Sequence, residues 1–128
     1  WGGNYFPLEP TKCWIIWDKG QRDFSLADGE MAWTSFDKAM RIFELSRGTA
    51  NAEAKIHPTQ KPVKLYEWLL SKFAKEGDLI LDTHIGSGSI RIACQKNGFN
   101  LTGFEIDKDY YEAQEKRFKD FVSQLRMF

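Results

Sequence analysis

Cysteine and histidine are scarce in this 128-residue chain, which has two of each: Cys13, Cys94, His57 and His84. The cysteines stand far apart and form no ligand pair, so they read as buried thiols of a reducing compartment. With only two histidines beside them, no metal site is indicated. No apolar run approaches the roughly 18 residues that a membrane span needs, and no secretory signal is expected from the first residues. An excess of one charge is missing too, because 18 Lys and Arg balance 18 Asp and Glu. That balance neither announces nor excludes a nucleic-acid partner, since a local basic patch leaves the total unchanged. Internal repeats and low-complexity tracts are also absent.

What is present fits one domain at most. Hydrophobic residues make up 42% of the chain, enough for a core, and five Trp and ten Phe point to aromatic packing or base stacking. Cys13-Trp-Ile-Ile-Trp17 is a near-continuous apolar run and predicts a central strand. Residues 21–29 are polar and predict a loop. Met31–Phe36 and Met40–Leu45 flank the turn Asp37-Lys38 and predict a β-hairpin. Ser46–Lys55 is small and polar, without periodicity, and predicts a flexible loop. Pro62 suits the first position of a helix. Tyr66, Leu69, Leu70 and Phe73 then follow helical spacing, with Gly77 as the stop. Asp107 or Asp109 suits the cap of a last helix running to about Leu125, with Tyr111, Phe118, Val122 and Leu125 as its buried stripe.

The remaining stretch organises the chain. Leu79-Ile80-Leu81 is wholly apolar and predicts a strand buried on both faces, as in a parallel sheet. Asp82-Thr-His-Ile-Gly-Ser-Gly-Ser89 follows, then a helix with Ile90, Ala93 and Cys94 on one face and Gly98 as its stop. A strand over 100–104 ends in Glu105. Strand, glycine turn, helix, strand and an acid about twenty residues on are the outline of a nucleotide-binding βαβ unit. Two details argue against a nicotinamide dinucleotide. Arg91 stands where a third glycine or an alanine belongs, and the Asp82 carboxylate would repel a pyrophosphate. S-adenosylmethionine suits the acid better: it carries an ammonium and a sulfonium, and ribose hydroxyls for Glu105.

His57-Pro-Thr-Gln-Lys-Pro62, followed by the Asp82 turn, resembles the amino-group DNA methyltransferases, which methylate the exocyclic nitrogen of adenine or cytosine. WGGNYF, CWIIWDKG and ADGEMAWTSF resemble the family's middle blocks, in family order, so the resemblance covers nearly the whole chain. It implies a Rossmann-like α/β fold with a parallel core and an antiparallel hairpin, over a single domain spanning 1–128. In members with this circular order, a D-P-P-Y block precedes the cofactor block. That block is absent here and is expected upstream of Trp1, so the chain reads as a C-terminal portion, incomplete at its N-terminal side. The family places the D-P-P-Y strand between Leu79–Leu81 and Trp14–Trp17, which are therefore not expected to pair.

The resemblance implies S-adenosylmethionine as cofactor and DNA as partner, with the target base flipped out of the duplex. Asp82 would hold the methionine amino group. Backbone amides of Gly86, Ser87 and Gly88 would gather near its carboxylate, where a helix start favours an anion. Thr59 and Lys61 would reach the same carboxylate, Glu105 would accept from both ribose hydroxyls, and Ile106 would lie against the adenine. His57 shapes its loop rather than touching ligand. His84, where the family often has Phe, either packs on the cofactor or meets solvent. Trp33 is either a core residue or a stacking surface for the flipped base. Arg47 and Lys55 are candidates for phosphate contacts. No catalytic residue is assigned, because the groups that accept hydrogen bonds from the target amine lie in the missing block. Adenine is the expected target. Cytosine is the first alternative and a non-catalytic cofactor- or DNA-binding fragment the second. A cytoplasmic bacterial or phage protein, with a homodimer as an open option, completes the expectation.

Overall fold

The structure is a computed structural model and describes residues 1–127. The chain divides into two compact units, Trp1–Ala52 and Glu53–Phe128, and its strands fall into two separate sheets.

The first unit is built on β1 (Ile15–Asp18), the strand expected from the Cys13–Trp17 run. It lies between β2 (Gly29–Ala32), antiparallel, and β3 (Arg41–Glu44), parallel. Ile15 and Trp17 are buried on one face of it. The expected hairpin does not form. Its two halves pair with β1 instead, so that Ile15 lies opposite Ala32 on one edge and Arg41 on the other. The reason is edge satisfaction: an apolar strand buried at the centre needs partners for its amides and carbonyls on both sides. Thr34 fastens the connection by donating its hydroxyl to the Cys13 carbonyl at 2.6 Å. Trp33 is half-buried and donates its indole N–H to the Glu9 carbonyl at 2.7 Å, which is a structural use.

The loop expected over Ser46–Lys55 contains one turn of helix, α1 (Arg47–Ala50). Ser46 caps it, its hydroxyl accepting the Thr49 amide at 3.1 Å. The turn residues that read as loop are also cap residues, and the local hydrogen bond decides between the two. Arg47 turns inward onto the Gln21 side chain at 3.2 Å and the Ala27 carbonyl at 3.4 Å, so its donors serve this unit.

The second unit runs α2 (Val63–Phe73), β4 (Leu79–Asp82), α3 (Ser89–Asn97), β5 (Asn100–Gly103) and α4 (Lys108–Leu125). β4 and β5 are parallel, with Leu79 opposite Asn100 and Asp82 opposite Gly103, so the expected βαβ unit is present. Its core joins Val63, Leu70, Ile90, Ile92, Ala93 and Cys94, with Ile80, Leu101 and Phe118 packed against them. β4 is not buried on both faces. Ile80 faces the core, whereas Leu79 and Leu81 are 73% and 64% exposed. An all-apolar run reports that a strand is apolar on both sides; it does not report what covers each side.

Pro62 sits just before α2 rather than at its first position, and α2 ends at Phe73, ahead of Gly77. Gly98 ends α3 as expected. Asp107 caps α4, its carboxylate accepting the Tyr110 amide at 3.0 Å. The expected α4 stripe is wrong at both ends: Tyr111 and Leu125 are exposed, and the fully buried position is Gln114, 2% exposed. A glutamine gives no hydrophobic signal, but its amide is satisfied here. Arg91 donates to its oxygen at 3.1 Å, and its nitrogen donates to Glu115 at 3.3 Å.

Both thiols are inaccessible, Cys13 at 0% and Cys94 at 2% exposure. Burial, with a smaller contribution from the Asp82 carboxylate, pushes the Cys94 thiol up to about 11. Thiolate is the reactive form. At about pH 8, neither thiol of the folded protein is therefore expected to be alkylated within minutes, while both react after denaturation. Peptide mass mapping checks this, and rapid native labelling of Cys94 would contradict the burial.

Candidate cofactor site

The site begins where the β4–β5 ladder runs past its strands. The Phe104 amide donates to the Asp82 carbonyl, and the Ile85 amide to the Phe104 carbonyl, both at 2.9 Å. This lacing draws the turn after β4 onto the end of β5 and sets Gly86 beside Glu105. One oxygen of the Glu105 carboxylate accepts the Gly86 amide and the other accepts the Asp107 amide, each at 3.0 Å. A carboxylate oxygen has two acceptor positions, so each keeps one. Ile106, next along, is 100% exposed. Asp82, half-buried at the strand end, accepts the His84 amide at 2.9 Å. The exposed His84 ring has its Nδ1 2.9 Å from the Thr83 hydroxyl.

The glycine turn departs from expectation in its details. Gly86 and Gly88 have φ of 53° and 76°, the left-handed region that favours glycine. A Cβ on Gly88 would stand 3.2 Å from Gln114, so its smallness serves the packing of α4. Two of the three amides expected to meet a ligand carboxylate are already committed: Gly86 to Glu105, and Gly88 to the Ile85 carbonyl at 2.9 Å. The Ser87 side chain is buried and pairs with the Ser89 hydroxyl at 3.1 Å. What remains for an anion is the Ser87 amide together with the first-turn amides of α3.

The His57–Pro62 loop is braced from within. Gln60 accepts the Ile56 amide at 3.0 Å and donates to the Ala54 carbonyl at 3.2 Å. His57 Nδ1 accepts the Thr59 amide at 3.2 Å. Its ring lies against Tyr110, with centroids 4.3 Å apart, and a Cβ on Gly86 would be 3.7 Å from it. His57 thus shapes the loop and seats it on the glycine turn. Thr59 is exposed, and the Lys61 ammonium donates to the Thr59 carbonyl at 3.0 Å. Glu53 closes the loop at its far end by accepting the Val63 amide at 2.9 Å. The structure therefore brings together Asp82, Gly86, Glu105 and Ile106, with the loop carrying Thr59 and Lys61 against that turn. Sequence reading missed Glu53, Gln60, Gln114 and Arg117. Only Gln60 lay inside a recognisable spelling.

A hollow of about 370 Å³ lies elsewhere, between α3, β5 and α4, and contains none of the expected site residues. Arg91, Gln114 and Glu115 in its lining are hydrogen-bonded to one another. Arg91 contacts Glu115 at 2.6 Å and stands 3.9 Å over the Phe118 ring. That hydrogen bond holds the Glu115 carboxyl below its usual range. Arg91, read as a departure from the dinucleotide pattern, is thus a tie between α3 and α4. Among the described residues no group of three or more His, Cys, Asp or Glu is placed to hold a metal, and no helix is long and apolar enough to cross a membrane.

Known proteins resemble this chain in sequence and in fold. Type II methyltransferase M.HpaI of Haemophilus parainfluenzae is 39% identical over 67 residues, 52% of this chain and 21% of that enzyme. Type II methyltransferase M2.DpnII of Streptococcus pneumoniae is 39% identical over 61 residues, 48% of this chain and 23% of that enzyme. The matched stretches are thus less than a quarter of these relatives' length. Among solved structures, the M1.HpyAVI–SAM complex superposes with a TM-score of 0.63 at 27% identity, over 83% of this chain and 60% of that one. Another structure of M1.HpyAVI gives a TM-score of 0.57 at 21% identity, over 84% and 60%, and supports the fold alone. The fold is Rossmann-like α/β, as the sequence implied. The DNA methylase family, of the N6 and N4 amino-methyltransferase class, matches residues 9–116, and on that match the chain belongs to this family.

Proposed function

We propose that the protein carrying this chain transfers a methyl group from S-adenosylmethionine to the exocyclic amino group of adenine in DNA, with the target base turned out of the duplex. The observation that carries the cofactor reading is the Glu105 carboxylate. It is fixed at the mouth of a βαβ unit by two backbone amides, has acceptor capacity to spare, and stands beside the bare Ile106 side chain. A pair of vicinal hydroxyls and a flat heterocycle suit those two neighbours. Asp82 at the strand end suits a ligand ammonium. The Ser87 amide at the start of α3, with Thr59 and Lys61 from the loop, suits the ligand carboxylate. When bound, the cofactor supplies a methyl group activated on a sulfonium. The chain's own residues bind and orient it. No group that would accept hydrogen bonds from the target amine is assigned within residues 1–128.

The complete protein, incubated with DNA and S-adenosylmethionine, is expected to yield N6-methyladenine on mass spectrometry of the digested nucleosides. N4-methylcytosine instead would move the target to cytosine. Neither product, with no cofactor binding by calorimetry, would overturn the reading. Residues 1–128 alone are expected to give no turnover, and turnover by them would place the amine-binding groups inside this chain.

A further inference from the structure

Arg117 belongs to α4 and lies outside the set of residues assigned to the cofactor, yet its guanidinium reaches both walls of the site. One terminal nitrogen donates to the Ser87 carbonyl at 3.0 Å and to the Ser89 hydroxyl at 2.8 Å. The other donates to Glu53 at 3.1 Å. Both side chains are largely covered, 17% exposed for Arg117 and 26% for Glu53. The second Glu53 oxygen accepts the Val63 amide, so the same carboxylate closes the 53–63 loop and sits at the start of α2, where an anion is favoured. Pro62, at the position before α2, contributes no side-chain hydrogen bond to that end, which leaves the capping to Glu53. The planar guanidinium fork can hold three acceptors in fixed directions, which a lysine cannot do.

We propose that Arg117 is a positioning residue for cofactor binding: it sets the 86–89 turn and the 53–63 loop relative to one another, so that the groups on each converge on one ligand. This rests on the cofactor reading above. Nothing in the periodicity of α4 signals it, because Arg117 serves main-chain and side-chain acceptors far away in sequence rather than a hydrophobic face. Losing the fork leaves α2, α3 and the βαβ core in place and the two segments joined through the His57 ring, but lets them move more freely against one another. The effect therefore belongs in ligand affinity rather than in the chemical step.

The test uses the complete protein and its Arg117→Met and Arg117→Lys variants. Arg117→Met is expected to raise Kd and KM for S-adenosylmethionine at least about tenfold, with kcat at saturating cofactor within about twofold and KM for DNA unmoved. Arg117→Lys is expected to recover part of the loss, because one ammonium serves Glu53 or the Ser87 carbonyl but not both. Hydrogen exchange without cofactor should speed up in 53–63 and 86–89 together, with β4 and the middle of α3 unchanged. Should Arg117→Met fail to fold, Glu53→Gln keeps an acceptor for the Val63 amide while removing the negative charge that faces Arg117, and it is expected to shift the same quantities in the same direction. Parent-like cofactor affinity in a folded Arg117→Met or Glu53→Gln protein overturns the positioning role and leaves the cofactor reading standing. A parent protein that binds no S-adenosylmethionine overturns the cofactor reading itself, and the positioning role with it.

Discussion

Glu105→Ala is expected to weaken S-adenosylmethionine binding by about 1–3 kcal/mol, a roughly 5- to 150-fold rise in Kd. Two losses contribute. The proposed acceptor for the ribose hydroxyls disappears, and the Gly86 and Asp107 amides, each held at 3.0 Å, lose their common partner. The second loss loosens the turn that also carries the Ser87 amide. Glu105→Gln weakens both in part. Its single carbonyl oxygen can keep one amide, while its NH2 group faces the other N–H and can only donate. Calorimetry and thermal melting of both variants, in the complete protein, decide the matter. A fall in melting temperature with unchanged Kd would reduce Glu105 to a strut between two loops, and the ribose assignment would be refuted.

A clear stability effect of a minimal change is expected at Gly88. Gly88→Ala should cost about 1–3 kcal/mol, from the left-handed backbone and from crowding of the covered Gln114 side chain 3.2 Å away. Gly86→Ala faces a similar backbone penalty, but its new methyl meets the His57 ring at an ordinary 3.7 Å. Gly86→Ala should therefore be milder in denaturant midpoint. Equal losses at the two sites would show that the contact with Gln114 plays no part. Gly88 is held in its conformation by a bond from its amide to the Ile85 carbonyl, so relaxation of the turn offers little relief.

Gly88 also shows where sequence reading reaches and where it stops. The Gly-Ser-Gly spelling located the turn correctly, since left-handed backbone leaves a mark in glycine. It did not say which neighbour demanded the small residue, because Gln114 lies 26 residues on and a buried glutamine has no hydrophobic signature. β1, α3 and the cap at Asp107 were legible from apolar runs, helical spacing and capping chemistry, all of them local. The partners of β1 were not: Asp37-Lys38 looks like a hairpin turn whether the strands around it pair with each other or with a third. The exposure of Leu79 and Leu81 was hidden for the same reason, as coverage of a face is decided by distant segments. In the candidate site, Asp82 and Glu105 were visible as acids at strand ends. Glu53 and Arg117 were not, because an ion pair between segments of different type has no spacing rule.

The tie between Glu53 and Arg117 has a consequence for the order in which the molecule can be assembled. It joins residues 64 apart, against 19 for the bond from Gly86 to Glu105. The entropy of closing a chain segment grows with the logarithm of its length, which makes the longer closure about 1 kcal/mol harder at equal bond strength. The βαβ unit and its glycine turn can thus form from neighbouring sequence. Registration of the 53–63 loop against that turn must wait for α4, which comes after both segments in the chain. The part of the chain that comes to rest latest is then the part proposed to fix how tightly the cofactor is held.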